Sequence, residues 1–279
     1  MSRLFVFGMG YAARHLAAAL GARGWRVVGT TRDGRDGTLR FGDGQAVAGE
    51  IAAATHILSS VPPDGERDPV QDAYGDRLAR SAAWLGYLSS TGVYGDTGGA
   101  WVDESAPIGS GRRVARAVAD ADWQGLGARV FRLPGIYGPG RSPIDRVRAG
   151  RAHRVGLQGQ VFSRVHIADI VSGVIAGFEG PAGAYNLADD HPCDQDSVVA
   201  YAARLAGVAV PPLVPLDSLS EAARGFYAEN RRVANGKARR VLGWRPAYPD
   251  YRLGLRALSA MTSPSAVTAA PAPASSDQR

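Results

Sequence analysis

The first thirty residues constrain this chain more than any other stretch. Residues 3–7 (RLFVF) form a short apolar run of strand type. Tyr11 to Leu20 carries small and apolar residues at helical spacing, and Gly21 and Gly24 end it. A second strand, WRVVGT, follows at 25–30. Strand, helix and strand within about 30 residues make one βαβ unit, whose strands must run parallel with a right-handed crossover.

Between the first strand and the helix stands Gly8-Met9-Gly10-Tyr11-Ala12-Ala13, a Gly-x-Gly-x-x-Ala spacing. Gly8 permits the tight turn, Gly10 lets the backbone approach a pyrophosphate, and Ala13 keeps the helix close to the strand. The helix N-terminus then offers unpaired amides and a partial positive charge. In a chain with 36 glycines the spacing alone is weak; its place between a strand and a helix gives it meaning. The expected ligand is a dinucleotide. The second strand ends in Thr30-Thr31-Arg32, and Asp33 comes only after the arginine. NAD binders usually place a carboxylate at this point, whereas an arginine fork suits a 2′-phosphate. NADP is therefore the predicted cofactor, with NAD the alternative. The cofactor-binding candidates are Gly8, Gly10, Tyr11, Ala13, Thr31, Arg32, Ser60 and Pro134.

Further strands are read at 56–60, 84–89 and 128–133, with helices at 68–83 and 112–123 between them. This alternation predicts an α/β fold, a doubly wound parallel sheet of Rossmann type with helices on both faces. Residues 32–49 read as a glycine-rich poor helix and 92–111 as a long loop; from Pro134 to about 159 the pattern loosens. A helix at 166–178 and a short strand at 185–187 follow, then helices at 197–206, 216–224 and 235–242 in a smaller C-terminal substrate lobe. The expected division is 1–178 for the dinucleotide-binding domain, with part of 139–165 entering the substrate lobe, and 179–261 for that lobe. The small, proline-rich tail at 262–279 is expected to be disordered.

Composition excludes several classes. With 279 residues, 45% of them hydrophobic, the chain can bury one large α/β core. No apolar run approaches the roughly 20 residues that span a bilayer, and the N-terminus reads as a strand and not a secretory signal. A cytoplasmic protein without membrane partners is expected. Cys193 is the only cysteine, so neither an internal disulfide nor a multi-cysteine metal site can form, and no metal is expected. The formal charge of +6 is almost all arginine, Lys237 being the only lysine. The basic residues are scattered, apart from Arg231, Arg232, Lys237, Arg239 and Arg240, and no aromatic-interleaved stripe suggests nucleic acid.

Five segments together resemble the atypical, NAD-dependent epimerase/dehydratase-like members of the extended short-chain dehydrogenase/reductase superfamily. They are GMGYAA at 8–13, YLSSTGVYGD at 87–96, RLPGIYGPGR at 132–141, RVHIADI at 164–170 and FYAENRRVANGKARRVLGWRPAYPDYRLGL at 226–255. The resemblance implies a C-terminal lobe closing over a substrate cleft, a small anionic substrate such as a nucleotide sugar, and allows a homodimer. It places Ser90, three positions before Val93-Tyr94-Gly95, as the hydroxyl that polarises the substrate oxygen. Where dehydratases carry Asp-Glu, Thr91-Gly92 stands. The superfamily's Tyr-x-x-x-Lys is absent, since Val233 lies four before the sole lysine; the aligned positions are Arg112 and Arg116. Arginine keeps a charge but cannot donate a proton near neutral pH. Tyr137, with Arg141 four residues on to lower its pKa, is the substitute candidate. The predicted catalytic set is Ser90, Tyr137, Arg112 and Arg116. Two functions fit: an NAD(P)-dependent oxidoreductase or epimerase, or an NADP-binding sensor or scaffold without turnover. His166 is expected to be a buried structural histidine and Asp169 an orienting or capping residue.

Overall fold

The computed structural model of the protein describes residues 2–111 and 114–262. In chain order the elements are β1 (Arg3–Phe7), α1 (Tyr11–Gly21), β2 (Arg26–Thr31), β3 (Leu39–Arg40), α2 (Gly44–Ala53), β4 (His56–Ser59), α3 (Pro69–Ala79), β5 (Trp84–Ser90), β6 (Trp101–Val102), α4 (Val114–Gly125), β7 (Arg129–Leu133), β8 (Gly135–Tyr137), α5 (Pro143–Arg148), β9 (Arg164–His166), α6 (Ile167–Ala176), β10 (Gly183–Asn186), α7 (Gln195–Ala206), α8 (Glu221–Tyr227), β11 (Arg232–Val233), α9 (Gly236–Leu242) and α10 (Tyr251–Thr262).

Seven strands pair in the order β10-β7-β5-β4-β1-β2-β3, every pair parallel. Alternation along β1 explains why both faces are covered. Leu4 and Val6 join Leu16 and Leu20 of α1 and Ile170 and Val174 of α6. Phe5 and Phe7 point the other way, into Val47 of α2, Tyr74 of α3 and Trp123 of α4. A third core joins Val198 of α7 and Leu255 of α10 with Tyr137 of β8 and Ile144 of α5. The chain leaves β1 towards β2 on one side and β4 on the other, so a topological switch point opens at the C-terminal ends of β1 and β4.

Several sequence expectations change. The glycine-rich 32–49 stretch contains β3 and the start of α2, which Asp43 caps by accepting the Ala46 amide at 3.1 Å while Val47 and Ile51 are buried. Burial of two side chains outweighs the poor helix propensity there. The 92–111 stretch holds a 3-10 turn at Thr91–Tyr94 and β6, and 134–159 holds β8 and α5. β10 is an edge strand of the main sheet, so that sheet extends past residue 178. The helix at 216–224 is a 3-10 turn at Leu216–Ser218 followed by α8, and α10 has no counterpart in the sequence reading. Arg112 and the 263–279 tail lie outside the described residues. Among the described residues, no helix is long and apolar enough to cross a membrane.

Candidate functional site

The loop after β1 is built so that its own polar groups are satisfied and the helix start is not. Gly8 has φ of 83°, and a Cβ there would lie 2.8 Å from Val61 Cγ2, so only glycine fits. Its amide donates to Thr30 Oγ1 at 3.1 Å, and its carbonyl accepts from Ser60 Oγ at 2.5 Å. The Met9 amide donates to the Thr30 carbonyl at 2.8 Å. The next amides, of Tyr11, Ala12 and Ala13, have no acceptor among the described residues. Gly10 caps α1 without a side-chain hydrogen bond, and no acidic residue stands in the first turn. A Cβ at Gly10 would meet nothing nearer than Ser60 Oγ at 4.0 Å, so the space above it is open to a ligand. Three free amides at a helix N-terminus under open space suit a diphosphate.

The remaining cofactor candidates divide. Ser60 serves the loop itself, through Gly8. Thr31 is buried, and its Oγ1 accepts from the amides of Gly34 and Arg35 at 3.0 and 3.1 Å, so it shapes the loop after β2. Arg32 stands exposed at the end of that strand. Pro134 lines the cavity described below. Thr30, which holds Gly8 and Met9, escaped the sequence reading because a threonine at a strand end looks the same whether or not it braces a neighbouring loop.

Ser90 ends β5, one strand from the switch point. Its Oγ accepts from the Gly92 amide at 3.1 Å, which caps the 3-10 turn and leaves the hydroxyl proton free to donate. Beneath it lies a dry polar network. Ser89 Oγ donates to Asp120 Oδ2 at 2.6 Å. Arg132 forks onto Asp120, Nε to Oδ2 at 3.0 Å and Nη2 to Oδ1 at 2.8 Å, with side-chain exposures of only 3% and 0%. Its Nη1 donates to Tyr94 Oη at 2.9 Å, and that hydroxyl donates to Asn186 Oδ1 at 2.8 Å. Two buried charges are tolerable only when paired and bonded this fully. The network holds β5, α4, β7 and β10 in one arrangement under Ser90.

A cavity of about 980 Å³ runs from Gly10 and Tyr11 past Ser90 and Pro134 to Phe226 and Arg231. Among the described residues, six arginines line it: Arg116, Arg141, Arg146, Arg151, Arg164 and Arg231. Its two carboxylates are already engaged. Asp145 closes a capping box with Ser142, and Glu229 pairs with Arg231 at 2.9 Å. Arg164 braces the lobe, donating to the Phe162 carbonyl at 2.8 Å and to Gln195 Oε1 at 2.9 Å. The net field is strongly positive and suits an anion.

The structure corrects the expected pairing of Tyr137 with Arg141. The Arg141 guanidinium lies over the Tyr11 ring, 5.6 Å from its centre. The Tyr137 ring is buried, edge-on to His166 at 5.2 Å, and its hydroxyl lies against Gly254 of α10 without a hydrogen-bond partner. Burial, reinforced by Asp189, Asp169 and Asp250, pushes the phenol far above its ordinary value. It is held as a neutral phenol. His166 is buried and caps α6 by accepting the Ala168 amide at 3.2 Å; burial holds its imidazole down at about 4. Asp169 accepts from the amides of Ala247 and Tyr248 at 2.7 and 3.1 Å, anchoring the segment before α10. Burial pushes the Cys193 thiol up to about 11, which leaves it inert.

The fold, a parallel α/β sheet with a glycine loop at its switch point, is shared with other solved structures. The human epimerase family protein SDR39U1, solved with NADPH, shares the fold with a TM-score of 0.72 at 17% identity, over 92% of this chain and 99% of that one. The chain belongs to the same family as a functionally unknown conserved protein from Silicibacter pomeroyi DSS. That protein is 42% identical, with a TM-score of 0.85 over 94% of this chain and 99% of its own. Protein YeeZ of Escherichia coli (strain K12) is 29% identical over 280 residues, 90% of this chain and 97% of that one. No family model matches the chain.

Proposed function

We propose that the protein is an NADP-dependent oxidoreductase or epimerase of extended short-chain type, acting on a small anionic substrate of nucleotide-sugar kind. One observation carries this reading: the residues whose free amides begin α1, Tyr11 and Ala12, line the same cavity as six arginines of the described residues. Gly8, Gly10, Tyr11 and Ala13 would hold the diphosphate, Arg32 the 2′-phosphate, and Ser60, Thr31 and Pro134 the walls around them. The nicotinamide, when bound, supplies or takes the hydride. The chain's own part is to place and polarise the substrate. Ser90 donates a hydrogen bond from its hydroxyl to the reacting oxygen and so polarises it, while Arg116 keeps the local potential positive. Arg146 and Arg151 attract the anionic end. Tyr137 serves as a wall of the cavity and passes no proton to the substrate, because its hydroxyl faces Gly254.

A second reading, a dinucleotide-binding sensor without turnover, is favoured by the neutral, buried Tyr137 and by the absence of any Tyr-x-x-x-Lys. Titration calorimetry with NADP and NAD tests what the two readings share. Both expect heat, with NADP the tighter ligand; no heat from either would remove both. NADPH oxidation screened against nucleotide sugars and simple anionic carbonyl compounds then separates them, turnover abolished in Ser90→Ala selecting the enzyme.

A further inference from the structure

The segment after β8 contains a device that the phosphate loop alone does not explain. Gly138-Pro139-Gly140-Arg141 is one tight turn, in which the Arg141 amide donates to the Gly138 carbonyl at 3.0 Å and Gly140 has φ of 69°. Proline in second place and a left-handed glycine in third are the residue pattern of a type II turn. Its position is set by the other lobe. Tyr11 Oη donates to the Pro139 carbonyl at 3.0 Å, across 128 residues of sequence. A Cβ at Gly138 would lie 2.6 Å from that same phenol oxygen, so the turn is seated directly on Tyr11. Arg141, the fourth residue of the turn, is thereby carried over the Tyr11 ring, in the cavity that Gly10 and Ala12 also line.

Apart from lying over the Tyr11 ring, the Arg141 side chain has no charged partner among the described residues. Among the described residues it makes no ion pair and no side-chain hydrogen bond, although it lines the cavity together with Gly10, Tyr11 and Ala12. The nearby carboxylate on its own segment, Asp145, is taken by the amide and hydroxyl of Ser142 at 3.0 and 2.9 Å. A guanidinium and a helix N-terminus that line one cavity carry like charge, and an anion held between them is attracted by both.

We propose that Arg141 is a cofactor-binding residue, reaching from the second lobe to the diphosphate that rests on the Tyr11 and Ala12 amides. This rests on the reading of the site as a dinucleotide site. The diphosphate is then gripped from two distant segments, and cofactor binding ties the second lobe onto the first.

Calorimetry of Arg141→Gln with four probes tests this role: NADP, NAD, ADP-ribose and 2′-AMP. The three probes that contain a diphosphate should weaken alike, about tenfold to a hundredfold, as expected for one charge-assisted contact. 2′-AMP, which has no diphosphate, should bind as before, and the ligand-free melting temperature should not move. Tyr11→Phe, which releases Pro139 but keeps the charge, should weaken the same three probes by a smaller factor. Unchanged affinity of Arg141→Gln for all four, or an equal loss for 2′-AMP, overturns the proposal. If the unaltered chain binds none of the four, the dinucleotide reading falls and this role with it.

Discussion

At the end of β1 the groups that can hold a ligand are backbone amides of three consecutive residues, whereas across the cavity they are guanidinium groups from segments scattered between residues 116 and 231. The first arrangement is local. One glycine turn and one helix start create it, and Thr30 and Ser60 only steady it. The second is assembled by the fold, because α4, the turn after β8, α5 and the segment around β11 each deliver one or two charges to a shared space. The difference teaches where change is tolerated. The amides are the same whatever side chains stand nearby, so that half is robust to substitution except at its glycines. The guanidinium half is made of side chains, and each can be lost or exchanged without disturbing the sheet.

That contrast can be broken at its foundation first. Arg132→Met leaves the Asp120 carboxylate buried without a counter-charge under Ser90, and should cost about 3–5 kcal/mol in urea unfolding. A change below about 1 kcal/mol, the range of an ordinary surface substitution, would show that the dry network does not hold the floor of the site. The start of α6 can be probed by pH. Burial holds His166 at about 4, against an ordinary value of 6.5. The unfolded chain therefore takes up a proton below 6.5 that the folded chain refuses. The contribution is complete above 6.5 and lost as pH falls towards 4, about 3 kcal/mol in all. His166→Asn, which keeps a capping side chain, should remove this loss; parallel stability profiles for the two chains would refute it. Asp189 runs the other way, since burial raises it to about 8 and the unfolded chain releases its proton first.

Two smaller effects sharpen the amide half. Gly10→Glu places a carboxylate where the space is open and φ is an ordinary −79°. Dinucleotide affinity should fall about a hundredfold or more while the ligand-free melting temperature holds, because only the ligand meets the new side chain. Retained affinity would move the diphosphate elsewhere. Arg32→Ala should weaken NADP about tenfold and leave NAD unchanged, as loss of a single phosphate contact predicts. Equal weakening of both cofactors would take Arg32 away from the 2′-phosphate.

Much of the first half was readable because its signals are short-range. β1, α1 and β2 lie within two residues of where periodicity and Gly-x-Gly-x-x-Ala place them. α2 was hidden because the glycines before and within it look poor for a helix in isolation, and the burial of Val47 and Ile51 fixes it. Ser90 was placed at its strand end, and its capping bond to Gly92 follows from a Ser-Thr-Gly sequence. Tyr137 was misread for the opposite reason. Arg141 lies four residues away in sequence, but the Pro139-Gly140 turn carries its side chain to Tyr11, while the ring of Tyr137 is drawn into the packing of α10.

By itself, then, the sequence determined the parallel α/β sheet, the glycine loop that follows β1, and the lack of a lysine to partner a tyrosine. These follow from periods of two and 3.6 residues and from glycines whose backbone needs are local. Only the tertiary structure decided which arginines share a cavity, which hydroxyls remain free to donate, and that Arg141 stands over Tyr11. Those outcomes depend on where segments more than a hundred residues apart come to rest, and that is set by which buried groups find partners.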